Sequence, residues 1–202
     1  MAISNFPTNG LDIPVIYWIH QVLHNTVLDE LMPYIRMPLV WIPLYLFIIY
    51  LFIRWFGKKF WIPLLFLAAA VGFSDYSNSS IIKKLAQRPR PCNEVEVRAH
   101  LDVLVPCGSG YSFMSSHAAN HMAIGYFMYL IMRRKKNKWA AIWLLWAAII
   151  GFAQVYVGVH YPIDALSGAV YGALIGGGFY CLYRKSEKRI AHTRLQKYQI
   201  RV

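Results

Sequence analysis

The chain has 202 residues, 57% of them hydrophobic and 16% aromatic, and carries a formal net charge of +12. Its apolar residues fall in runs of about 20, the length that crosses a hydrocarbon core about 30 Å thick, so an ordinary soluble domain is excluded first. The charge does not form a nucleic-acid surface either. Most of the 21 lysines and arginines cluster at Arg54/Lys58/Lys59, at Arg133–Lys138 and from Arg184 to Arg201, each beside the end of an apolar run, and Glu187 is the one acidic residue among them.

Taken in chain order, residues 1–11 are a polar lead with Pro and Gly. No basic n-region followed by an apolar stretch and a small-residue cleavage site opens the chain, so insertion is expected to be driven by the first spans. From Leu11 to Arg36 the apolar residues are interrupted by Asp12, His20, His24, Asp29 and Glu30. This pattern predicts an amphipathic helix lying in the interface rather than a span. The first clear span covers about 38–54 and the second about 60–82. The second half of the latter is polar, with Asp75, Ser77, Asn78, Ser79 and Ser80, and should face other helices. Further spans are expected at about 113–132, 139–157 and 162–183.

The fold expected is therefore all-α: a polytopic membrane bundle of about five transmembrane helices plus the N-terminal interfacial helix. Residues 1–37 form the lead, 38–184 the transmembrane domain and 185–202 a basic cytoplasmic tail. Basic loops on alternate connections place 54–59, 133–138 and the tail in the cytoplasm, and 83–112 and 157–162 together on the opposite side. Gly168 and Gly172 have GxxxG spacing, which fits close helix packing. Cys181 lies in an apolar run, the setting of a packing residue. Cys92 and Cys107 flank the outer loop, where disulfides persist, and pairing them would close a loop of about 15 residues.

Three polar clusters stand at span ends, where ionisable groups are costly and mark function. Lys83 and Arg90-Pro91 follow the second span. If its helix runs on, the two cations lie two turns apart on one side and Pro91 ends it. Lys84 and Arg88 add nearby charge. Ser115-Ser116-His117 opens the third span, where an N-cap Ser and free N–H groups suit a phosphate. His117 and His121 form an HxxxH pair without a third ligand, too few for a metal site. His160-Tyr161-Pro162-Ile163-Asp164 opens the last span, and Asp164 could orient His160 for attack on phosphorus.

Order, spacing and placement of these clusters resemble the type 2 phosphatidic acid phosphatase superfamily of membrane lipid phosphatases. Its pattern is K-x6-RP, PSGH and SR-x5-H-x3-D. Lys83-x6-Arg90-Pro91 matches the first in full, Met114-Ser115-Ser116-His117 the second at its Ser and His, and His160-x3-Asp164 the end of the third, over about residues 38–184. The resemblance implies a metal-independent, cofactor-free hydrolase. In that scheme His160 is the nucleophile, Asp164 its orienting carboxylate and His117 the general acid, with Lys83, Arg90, Ser115 and Ser116 holding phosphoryl oxygens. The departure is at Ala153-Gln154, where the family has Ser-Arg, so one cation is missing. Lys84 or Arg88 could replace it.

The substrate expected is a lipid phosphate or diphosphate at the extracytoplasmic face of a bacterial inner membrane, with undecaprenyl diphosphate first, then lipid A phosphate, then phosphatidylglycerol phosphate or phosphatidate. The motifs leave hydrolase and phosphotransferase open. A non-catalytic lipid-phosphate binding or transport protein is the reading from another class. Membrane lipids are the only further partners implied, and the oligomeric state stays open.

Overall fold

A computed structural model describes the backbone of residues 10–199 and the side chains through residue 190. The regular elements of the described residues are all helical, with no strand, and a long irregular segment runs from 99 to 115. The helices are α1 (Asp12–Trp18), α2 (Thr26–Ile35), α3 (Ile42–Phe56), α4 (Trp61–Ser77), α5 (Lys83–Ala86), α6 (Val95–Arg98), α7 (Ser116–Arg134), α8 (Ile142–Tyr156) and α9 (Pro162–Gln199). Pro38–Lys59 and Pro162–Ile190 are long and apolar enough to cross a membrane, and α8 is a shorter apolar helix.

Helix α7 is the axis against which α4, α8 and α9 pack. Its partner face on α9 is built from glycines one helical turn apart. A Cβ on Gly168 would sit 2.6 Å from the Ser115 carbonyl oxygen, and Cβ atoms on Gly172 and Gly176 would strike the carbonyls of Ala119 and Ala123. Gly125 of α7 approaches the Trp143 carbonyl of α8 in the same way. Backbones meet this closely only where side chains are missing. The other side of α9 shows Leu166, Val170, Leu174 and Leu182 outward. Together with exposed Leu39, Leu46 and Tyr50, these leave an apolar exterior far larger than a soluble monomer shows. Cys181 lies on this exposed surface and not in the core, which corrects the packing role expected for it.

The basic clusters gather at one end. Arg134 at the end of α7 pairs with Glu187 of α9 at 2.7 Å, as does Arg184 at 2.8 Å. Lys135 lies 5.4 and 5.1 Å from the ring centroids of Trp55 and Phe56 at the end of α3. The opposite ends of α4, α7 and α9 carry the motif residues.

Two sequence expectations need correction. Residues 11–36 do not form one helix. The chain turns extended at His24 and Asn25, and Asn25 caps α2 by accepting from the Leu28 N–H at 3.0 Å. At about 1.5 Å per residue neither piece could cross a bilayer. The α4–α5 run also stops before Arg90. Gln87 adopts a left-handed conformation (φ 47°), Arg88 and Pro89 lie outside any helix, and Arg90 is extended. Arg88 precedes Pro89, and a residue before proline is pushed out of the helical region. Lys83 and Arg90 therefore do not share a helix face; the loop brings them together. Helix α9 runs to Gln199, so no break in structure marks residue 185.

Candidate active site

The third motif is organised by Asp164. Tyr161 caps α9 and Asp164 is its third residue, so the carboxylate Oδ2 reaches back to accept the Tyr161 N–H at 2.9 Å, half of a capping box. The same oxygen accepts from the Ser112 hydroxyl and lies 3.6 Å from His160 Nδ1. Ser112 Oγ is 3.4 Å from that ring nitrogen. With the Ser112 hydroxyl donating its hydrogen bond to the carboxylate, its oxygen is left to accept, which fits the tautomer of His160 that carries its proton on Nδ1 and keeps a lone pair on Nε2. His160 and Asp164 are both buried. Burial drives the His160 pKa down to about 4, against the pull of Asp164, so the ring is neutral near pH 7.

The remaining carboxylate oxygen, Oδ1, accepts from Arg88 Nη1 at 2.7 Å, and Arg88 Nη2 donates to Asp12 at 2.6 Å. Asp12 also accepts the Ile163 N–H at 2.9 Å. The guanidinium stacks 4.0 Å from the centroid of Tyr161. Arg88 is wholly buried in this ion-paired position. It supports the carboxylate that lies beside His160, and both its Nη groups are taken up by carboxylates rather than offered to a phosphate as a substitute cation would be. Lys84 is exposed, one residue round the helix from Lys83.

The first motif reaches the site through residues 110–111. Lys83 Nζ donates to the Tyr111 carbonyl at 2.9 Å. Arg90 donates to the carbonyls of Gly110 and Val159 at 3.3 and 3.4 Å. Both cations act electrostatically on His160. Burial first, and Arg90 second, lower the Lys83 pKa to about 8. Between Arg90 and Gly110 the chain is closed by a disulfide joining Cys92 and Cys107, whose Cα atoms are 5.9 Å apart.

The second motif sits at the start of α7. Ser115 caps the helix by accepting from the Ala118 N–H at 3.4 Å, and its own N–H donates to the Asp164 carbonyl at 3.0 Å. Asn78 donates to the Met114 carbonyl and to Ser116 Oγ, each at 3.0 Å, so the polar end of α4 fixes this turn. His117 lies within electrostatic range of His160 and Lys83. His121 does not complete a metal pair with it. Its ring nitrogens meet the His117 carbonyl at 2.8 Å and the Tyr45 hydroxyl at 3.3 Å.

His20, His24 and Asp102 do bring ligand atoms within 4.8 Å of one another. That cluster fits a metal poorly, because both nitrogens of His20 meet backbone groups, the Val155 carbonyl at 3.3 Å and the Asp102 N–H at 3.2 Å. Beside His121, an apolar groove of about 460 Å³ runs between α3, α4 and α7, lined by Tyr45, Ile48, Leu64, Leu67 and Val71.

Residues 59–188 match the PAP2 superfamily profile. The chain belongs to the PAP2 superfamily. A lipid A 4'-phosphatase of Bacteroides thetaiotaomicron is 32% identical over 127 residues, 61% of this chain and 55% of that protein. The undecaprenyl-diphosphatase BcrC of Bacillus subtilis is 29% identical over 157 residues, 78% of this chain and 76% of its own. The chain thus spans about half the length of the lipid A 4'-phosphatases it matches. In fold it is similar to LpxE of Aquifex aeolicus, with a TM-score of 0.63 at 23% identity over 89% of this chain and 98% of that one.

Sequence reasoning missed Ser112, Asn78, Asp12 and the buried position of Arg88. Asn78 carried a signal, a polar residue in an apolar run. The other pairings span long stretches of sequence and left none.

Proposed function

We propose that this PAP2 protein hydrolyses a lipid phosphate or diphosphate through a phosphohistidine on His160. The observation that carries this reading is the buried His160–Ser112–Asp164 set, which holds the proton on Nδ1 and leaves Nε2 as the nucleophile. Nε2 attacks phosphorus, and the bond to the leaving oxygen breaks as His117 gives that oxygen a proton. Water then attacks phosphorus as its proton returns to His117, the P–N bond breaks to give back neutral His160, and phosphate departs. Lys83, Arg90 and the first N–H groups of α7 stabilise the charge that grows on the phosphoryl oxygens. No step uses a metal or a cofactor.

The arrangement in the membrane follows from charge. The basic end faces the cytoplasm, five helical runs cross the bilayer and the site opens at the outer face. The N-terminal helices α1 and α2 lie in the interface against the membrane domain at 38–184, and the chain beyond residue 184 carries the basic cluster of the tail. The groove beside His121 receives the start of the lipid chain while its headgroup lies by His160. Undecaprenyl diphosphate is the first substrate, supported by the relative that the chain covers over most of its length. Lipid A phosphate is the second, supported by the 32% identical relative.

The test is phosphate release by detergent-purified protein over a panel of lipid phosphates. His160→Ala should lower turnover by several orders of magnitude, and the wild type should yield an acid-labile phosphoenzyme. Robust turnover by His160→Ala would exclude the covalent route. Saturable lipid binding with no phosphate release would favour a binding or transport protein, and transfer of the phosphoryl group to a second lipid would identify a phosphotransferase.

A further inference from the structure

One cation near the site belongs to none of the three motifs. Arg36 ends α2, where its N–H bonds the Met32 carbonyl at 3.2 Å. The turn is pinned by Trp41, whose indole N–H donates to the Ile35 carbonyl at 2.7 Å. Ile35 packs into both hydrophobic clusters of the protein, so the backbone at Arg36 is fixed where they meet. The Arg36 side chain is half-buried, and its Nε is buried with no acceptor within the protein. No ion pair among the described residues involves it, and the charged groups it acts on are Arg90 and His117.

A cation at a helix C-terminus is ordinarily explained by the helix dipole, which is best served by an exposed side chain. Here the side chain is instead half-buried, its Nε is shut off from solvent without an acceptor, and the charge acting on it is the like charge of Arg90, an unfavourable arrangement unless an anion joins them. Arg90 and Lys83 also act on each other, so the three cations form one group. Asp164, the carboxylate that acts on both Arg90 and Lys83, already holds Arg88. Position 154 sharpens the point. Gln154 is fully buried, and neither its amide nitrogen nor its amide oxygen has a partner within the protein. Its backbone carbonyl receives the N–H groups of Val159 and His160, so it lies directly beneath the nucleophile's loop.

We propose that Arg36 binds the substrate phosphoryl group and supplies, from the N-terminal helices, the cation that position 154 lacks. The proposal rests on the phosphatase reading for its substrate but not for its test. An anionic phosphoryl oxygen placed among Arg36, Arg90 and Lys83 would satisfy Arg36 Nε and neutralise the cluster. Gln154 then contributes an uncharged donor to the same anion. The N-terminal helices become part of the phosphate site rather than a membrane anchor alone.

Inorganic phosphate, titrated calorimetrically into detergent-purified protein, is the probe. Arg36→Gln should weaken phosphate binding about 10- to 100-fold, the loss expected for a charged hydrogen bond. Arg36→Gln/Gln154→Arg should recover part of that affinity. Wild-type affinity in Arg36→Gln overturns the proposal. A double variant as weak as Arg36→Gln overturns the placement of Gln154 on the same anion. Should Arg36→Gln not fold, phenylglyoxal modification of the wild type decides instead: phosphate must protect Arg36 from the reagent, and equal modification with and without phosphate overturns the proposal. A wild type that binds phosphate yet releases none from any lipid would end the hydrolase reading while leaving the assignment of Arg36 intact.

Discussion

Arg88 Nη1 lies 2.7 Å from Asp164 Oδ1, and both side chains are wholly excluded from solvent. The pair joins the loop after α5 to the start of α9. Through its other nitrogen, Arg88 adds α1 by way of Asp12. Breaking a buried pair by removing one partner costs about 3–5 kcal/mol, because a buried charge is left uncompensated. Arg88→Met strands two carboxylates, so it should lower both thermal stability and kcat. Asp12→Asn should cost less, since the amide oxygen can still accept the Ile163 N–H and Arg88 keeps Asp164. Thermal unfolding and initial rates on both variants check the order. Wild-type kcat in a folded Arg88→Met would show that the carboxylate orients His160 without help.

Besides the proton that His117 must hold to act as the acid, two groups outside the membrane-spanning helices shape the pH dependence. His160 must be neutral to attack, and its pKa, lowered by burial to about 4, puts the acid limb of kcat/KM there. Activity is present above that pH and lost as pH falls through it. Lys83 must be charged to hold phosphate, and its pKa, lowered by burial to about 8, contributes an alkaline limb there. Activity is present below that value and lost as pH rises through it. The profile of kcat/KM reports the free enzyme. Lys83→Arg should retain activity and carry the alkaline limb above pH 10, because arginine stays protonated. An unmoved alkaline limb in Lys83→Arg would assign that ionisation elsewhere.

The candidate site residues were legible because membrane solvent makes polar residues conspicuous. Lys83, Arg90, Ser115, His117, His160 and Asp164 stand out against apolar runs, and the Gly168/Gly172 spacing signalled a close helix contact without naming its partner, which is α7. Long-range pairing was not legible. Nothing local ties Asp12 to Ile163, or Ser112 to His160. Arg88 read as one more loop cation, although the proline after it was already a signal that the helix ends before Arg90. The split at Asn25 was hidden because α1 and α2 share one mixed composition, and the break lies in a single capping residue.

Close packing of α7 on α9 depends on Gly172. A Cβ there would collide with the Ala119 carbonyl, a backbone atom that cannot rotate away. Gly172→Ala should therefore separate the helices and cost about 1–3 kcal/mol, the usual penalty of overpacking. Because the Ser115 N–H bonds the Asp164 carbonyl at the same helix pair, kcat should fall too. Gly178→Ala is the control, since its Cβ would meet nothing within 4 Å. Equal melting temperatures for the two variants would contradict the packing argument.

Orientation in the membrane can be read by labelling. Glu96 and Lys138 are both exposed, at opposite ends of the molecule. In a Cys181→Ser background, Glu96→Cys should react with an impermeant thiol reagent in intact cells, and Lys138→Cys should react only after lysis. The reverse pattern would place the site in the cytoplasm.

The disulfide carries the last prediction. Cys92 and Cys107 enclose the segment between Arg90 and residues 110–111, whose carbonyls hold Arg90 and Lys83. Closing a loop of about 15 residues removes about 3 kcal/mol of chain entropy from the unfolded state. The bridge should therefore act twice, on stability and on the registry of the two cations. The variant Cys92→Ser/Cys107→Ser should unfold at lower temperature and show a raised KM, with kcat changed less because His160 and Asp164 are held from α9 and Ser112. Reductant should shift the wild type the same way and leave the variant unmoved. A lower melting temperature with unchanged KM would mean that the hydrogen bonds at Gly110 and Tyr111 alone keep Arg90 and Lys83 in place.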